Sequence, residues 1–172
     1  MSNAALNAIA KSAASASATY IQPGRYRFEV QAIKARDGFK GTSAIVELKV
    51  ISSAPNGSKD PNPVDSSPSY VENLSDAQKY GGARFKSFLM SLVGAEEHEF
   101  ANPAALAKFF DAERQAGAFL LIDAEAFDKT TAKGGTVTGI KWTTVNPSDA
   151  EFAEIERKRA AAKLPSFAAA MG

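Results

Sequence analysis

The chain contains no cysteine and a single histidine, His98. The first absence removes disulfides and thiolate chemistry and suits a reducing compartment. The second leaves His98 with no other imidazole or thiol to complete a zinc site. Long apolar runs are missing as well. No segment approaches the ~20 apolar residues needed to span a bilayer, and "MSNAALNAIAKSAASASATY" lacks the basic start and unbroken apolar stretch of a secretory signal. The expectation is a cytosolic protein with no membrane partner. Nor is there a global excess of charge. A formal net charge of +1 exerts no overall pull toward nucleic acid or membrane, so any basic surface has to be local.

What the chain does have is 172 residues, 45% of them hydrophobic and 23% charged, enough for one core with tails. Residues 1–19 are a low-complexity Ala/Ser arm. Tyr26, Phe28, Val30 and Ala32 then alternate with Arg25, Arg27, Glu29 and Gln31, the period-two signature of a half-buried strand. Past the turn "RDGFKG", Ala44, Val46, Leu48 and Val50 alternate in the same way, predicting a hairpin. A Pro/Ser/Asn/Asp-rich loop (52–68) leads to a short third strand, "SYVENL".

The period then changes. Phe85, Phe88, Leu89 and Leu92 take helical spacing, with Gly94 as the stop. Asn102 and Pro103 open a second helix. Strand character returns in "GAFLLIDAEAFDK" and "GGTVTGIKWTTV". The Ser148/Glu151 capping box starts a last helix that ends before Pro165, and "SFAAAMG" reads as a loose tail. Strands and helices come in blocks, which argues against a parallel α/β sheet. The fold expected is α+β and mainly antiparallel β: a partly open, OB-like β-barrel over 20–146, with a helical insertion at 81–112 and a C-terminal helix and tail at 147–172.

Catalytic signatures are weak. "GGARFKS" lacks the glycine that a phosphate loop places before its lysine, Phe85 standing there instead. "AEEHEF" surrounds His98 with carboxylates but offers no second nitrogen or sulfur ligand, and reads as a solvated loop. Asp123 and Glu125 share a strand face, as a metal-dependent nuclease requires, yet equally form the wet side of a strand whose inner side is Leu120, Ile122, Ala124 and Ala126. A Ser-based triad would have only His98 for its base and has no Gly-x-Ser-x-Gly elbow. The expectation is a non-enzyme without cofactor or metal.

Charge is segregated along the chain. Residues 20–51 carry six cations (Arg25, Arg27, Lys34, Arg36, Lys40, Lys49) against three acids, whereas 61–172 carry twelve against fifteen. A basic sheet face bordered by aromatics is what single-strand binders use, cations following the backbone while rings stack on bases. Phe39, Tyr70 and Trp142 are the stacking candidates. The same pattern also fits an ordinary amphipathic sheet, with Tyr26, Phe28 and Trp142 in the core and the cations solvating its outer face.

"PGRYRFEVQAIKARDGFKGTSAIVELKVISS", the loop into "SYVENL", and "KYGGARFKSFLMSLVG" together resemble an uncharacterised group of bacteriophage proteins related to phage single-stranded DNA-binding proteins with an OB-like fold. The resemblance covers residues 20–94 and is echoed loosely by "KGGTVTGIKW" (133–142). It implies a non-catalytic protein that coats single-stranded DNA in replication or recombination, in the cytoplasm of an infected bacterium, with little sequence preference. Arg25, Arg27, Lys34, Arg36, Lys40 and Lys49 would meet phosphates, while Phe39, Tyr70 and Trp142 would stack on bases. Self-association into a homo-oligomer stays open, and no small-molecule substrate is implied. The C-terminus "RKRAAAKLPSFAAAMG" departs from the acidic tail with which such proteins recruit partners. The competing expectation is a virion structural protein, a decoration or assembly subunit that uses its terminal arms for subunit contacts.

Overall fold

The computed structural model describes residues 20–75 and 80–172. The Ala/Ser arm of residues 1–19 lies outside the described residues. Five strands, β1 (Gly24–Gly38), β2 (Gly41–Ala54), β3 (Ser69–Asn73), β4 (Leu121–Thr130) and β5 (Thr136–Thr144), form one antiparallel sheet in the order β3-β2-β1-β4-β5. The sheet does not close: β3 and β5 are its two edges. Among the described residues four α-helices complete the α+β fold: α1 (Gly81–Val93), α2 (Pro103–Phe110), α3 (Asp149–Ala161) and α4 (Phe167–Met171).

The alternation in β2 is observed as read, with Ala44, Val46, Leu48 and Val50 all buried. In β1 it breaks. Gln31 has no partner in the pairing with β2, so the register shifts between Val30 and Ala32, and Ile33 rather than Ala32 enters the core. A one-residue slip moves every following side chain to the other face. Lys34 and Arg36 thereby join Arg25 and Arg27 on the outer face, where an unbroken alternation would have turned them inward.

The inner face packs on α1. Phe85, Phe88, Leu89 and Leu92 are buried, and the Phe88 ring lies 5.4 Å from Tyr70 of β3 and 4.9 Å from Trp142 of β5. One helix thus bridges the two edges that the backbone leaves unjoined. It sits so close to β3 that a Cβ at Gly81 would stand 1.8 Å from the Asn73 carbonyl oxygen, and only glycine fits there.

β4 pairs with β1 only as far as Glu29, and Leu120 and Phe119 continue the pairing through Val30. Beyond that point Gln115 substitutes for a strand: its side chain accepts from the Ile33 N–H (3.0 Å) and donates to the Ile33 carbonyl (3.1 Å). The expected loose tail is a correction. "SFAAAMG" folds as α4, capped by Ser166, with Ala170 buried and Lys108 bonded to the Met171 carbonyl. α3 carries the capping box read from Ser148 and Glu151.

Arg159 of α3 is fully buried and makes no ion pair among the described residues. Its guanidinium donates to four backbone carbonyls: Pro165 (2.9 Å), Gln115 (2.9 Å), Ala118 (3.1 Å) and Arg114 (2.9 Å). Burial lowers its pKa, and Glu156 partly opposes this. A planar fork with five donors suits this task. It holds together the 114–118 loop, whose Gln115 has φ 37°, and the link from α3 to α4.

Candidate nucleic-acid interface

Of the nine residues singled out in the sequence, seven divide between opposite faces of the sheet, and Phe39 and Lys40 stand in the turn between β1 and β2. Arg25, Arg27, Lys49, Lys34 and Arg36 lie on the outer face, where the pairing places Arg27 opposite Ser52 and Asp123, and Lys34 opposite Ile45. Tyr70 and Trp142 lie on the inner face, since their ladder partners Val46 and Ala124 are buried there. The expectation that these two rings stack beside the cations is therefore corrected. Tyr70 is 7% exposed, and its ring centroid is 5.0 Å from Trp142 beneath α1.

Much of the local positive charge is neutralised by acids from distant parts of the chain. Arg27 makes a two-point pair with Asp123 (2.8 and 3.1 Å), and Glu151 of α3 is 3.9 Å away. Lys34 pairs with Glu47 at 2.8 Å, and Lys49 approaches Asp65 at 3.7 Å. The buried Glu29, on the same face, is covered by Lys158 of α3. Arg25, Arg36 and Lys40 make no ion pair among the described residues, and Lys141 of β5 joins them as a cation the sequence reading missed. Only the register shows it, because Arg25, Glu125 and Lys141 form one cross-strand row.

Two features of the outer face offer themselves to a polyanion. One is a shallow groove of about 540 Å³ between Arg25, Arg27, Ser53, Asp123, Lys141 and Thr143. Its charge is mixed, three cations against Asp123 and Glu125, and Glu125 also accepts from Asn56 (3.3 Å). The other is the tip of the β1–β2 hairpin, which runs past the end of β4. The turn places Phe39 and Lys40 between Gly38 and Gly41, and Gly41 takes the left-handed φ of +103° that closes it. Phe39 is wholly exposed, with Arg36 and Lys40 on either side of it, both unpaired among the described residues. The acid of the turn itself, Asp37, accepts from the Thr42 hydroxyl (2.7 Å).

The enzyme candidates take structural roles. Glu96 and Glu99 cap a 3₁₀ turn over Glu97–Phe100, leaving His98 exposed. "GGARFKS" enters α1 directly at Gly81, and Asp123 is occupied by Arg27. Among the described residues no three His, Cys, Asp or Glu side chains gather to hold a metal ion, and no helix is long and apolar enough to cross a membrane. No protein-family model matches the chain, and no curated protein is significantly similar to it.

Proposed function

We propose that the protein binds single-stranded nucleic acid without catalysing a reaction on it, using the β1–β2 arm as its principal contact. The observation that carries this reading is Phe39, fully exposed at the tip of a two-stranded arm between Arg36 and Lys40, which make no ion pair among the described residues. Large apolar rings are costly to leave in water, and a ring between two exposed cations is the pairing that stacks on a base while neutralising its phosphates. Arg25 and Lys141 extend the cationic path across the groove. Because Arg27, Lys34 and Lys49 already have carboxylate partners, the electrostatic footprint is smaller than the six cations of residues 20–51 imply.

The sheet is read as an OB-like barrel opened along one seam. What supports this is the strand order, with β1 central between β2 and β4, the helix between β3 and β4, and the convergence of both edges on that helix. A phage protein coating single-stranded DNA in the cytoplasm of its host fits this reading.

Anisotropy of labelled oligo-dT, titrated at low and moderate salt against a duplex of equal length, tests it. Binding of the single strand that weakens with salt is expected, and Phe39→Ala should weaken it by about 1–3 kcal/mol. An unchanged affinity in Phe39→Ala removes the arm from the interface. No binding at low salt overturns the reading and leaves the arm as a contact between subunits of a particle.

A further inference from the structure

We propose that the cleft along the open seam between β3 and β5 is a pocket for a single nucleobase, separate from the charged outer face and resting on the single-strand reading above. Two adjoining cavities of about 370 and 230 Å³ lie in the seam and share Tyr70, Glu72, Thr138 and Ile140. Together they reach the size of ordinary small-ligand sites.

The walls are aromatic. Trp142 is half-buried and locked by edge contacts with Phe88 (4.9 Å) and Tyr70 (5.0 Å). The exposed Tyr80 stands at the mouth. A ring already fixed by its neighbours loses little rotamer freedom when a base packs on it. The polar groups are of two kinds. Thr138 and Ser87 bring hydroxyls. The outer side of β5, an edge strand, has no ladder partner among the described residues, so it presents main-chain N–H and C=O groups in alternation. A mixed donor and acceptor edge is what a base requires from its site.

Charge separates this cleft from the outer face. Among the described residues its one lining cation is Arg84, held at two points by Glu72 (2.7 and 2.9 Å). Glu72 is itself buried and accepts from the Tyr70 hydroxyl (3.0 Å). The pair is spent on itself and leaves no lining cation for a phosphate among the described residues. The cleft therefore takes the base and leaves the phosphate outside, so it accepts a nucleoside as well as a nucleotide.

Trp142 is the only tryptophan in the chain, so its emission reports on this cleft alone. Thymidine and deoxyadenosine, titrated into the full-length protein, should quench it saturably, with a midpoint that moves by less than about twofold between low and high salt, as expected without counterion release. Ala83→Phe, which fills the mouth from an exposed helix position, should abolish the quench while oligo-dT anisotropy keeps its salt dependence. Thr138→Tyr, on the exposed edge of β5, makes the same test if the helix variant misfolds. Emission unmoved by either nucleoside, or a quench that persists in the filled variants, overturns the proposal; an extended peptide pairing with the seam would then be its occupant. Oligonucleotide binding without a nucleoside quench sinks this pocket alone, whereas a nucleoside quench without oligonucleotide binding sinks the arm and keeps the pocket.

Discussion

Replacing Arg159 with methionine should cost about 3–5 kcal/mol of folding stability. The side chain makes four hydrogen bonds from a charged donor to buried or half-buried carbonyls. At roughly 1.5–3 kcal/mol each these sum to a gross ~6–12 kcal/mol. Burying a guanidinium without a carboxylate partner takes back several kcal/mol of that, in line with the downward shift of its pKa by burial. Methionine fills the space but leaves the carbonyls of Arg114, Gln115, Ala118 and Pro165 unsatisfied. Lysine should lose nearly as much, because one ammonium cannot reach acceptors in both the 114–118 loop and the α3–α4 link. Urea unfolding followed by Trp142 emission reads the effect. With a slope of about 2 kcal/mol per molar, the midpoint should fall by roughly 1.5–2.5 M. Because Gln115 satisfies the backbone of Ile33, amide exchange at Ile33 should also accelerate in the variant. A methionine variant with its midpoint within about 0.5 M of the parent refutes the argument, for the loops would then hold without the guanidinium.

The other predictions concern charge, packing and pH. Asp123→Asn releases Arg27 from its two-point pair, so oligo-dT should bind more tightly at low salt, and the log–log salt slope should steepen by about 0.7, one single-strand phosphate contact. Lys40→Ala should reduce that slope by the same ~0.7, and an unaltered slope places Lys40 outside the interface. Gly81→Ala drives a Cβ into the Asn73 carbonyl; displacement of α1 from β3 should cost about 1–3 kcal/mol, read as a lowered melting temperature. Tyr70 has its pKa raised, first by burial and then by Glu72, and Tyr26 is raised by burial as well. For a raised pKa the stabilisation is intact below the unfolded value of about 10 and is lost as pH climbs toward the folded one. Stability should therefore fall above pH ~10, by up to about 1.4 kcal/mol per pH unit for each tyrosine. Tyr70→Phe should flatten that fall, and an alkaline limb unchanged in this variant counts against the assignment.

The cross-strand ion pairs also explain why a basic stretch of sequence does not make an equally basic surface. Residues 20–51 carry a local excess of cations, yet Asp123, Asp65 and Glu151 arrive from the rest of the chain to meet them. Net charge along a sequence is additive, whereas potential at a surface depends on which strands become neighbours. Of the cations of residues 20–51, those that make no ion pair among the described residues are Arg36 and Lys40 on the arm, which β4 does not reach, and Arg25, which shares a cross-strand row with Lys141.

By itself the sequence marked most of the elements, though not α4. Period-two alternation marked β2, helical spacing marked α1, and the Ser148 capping box marked α3, because each depends on residues within a few positions of one another. The exposure of Phe39 was legible in the same way, from a two-residue turn closed by Gly41. Only the tertiary structure decided which face each side chain took beyond Gln31, since a bulge depends on how two strands pair and not on either strand alone. It also turned Tyr70 and Trp142 away from the cations and onto α1. The same holds for Arg159, which reads as one charge in a helix of mixed charge and becomes a buried clamp only when four carbonyls from two separate loops converge on it.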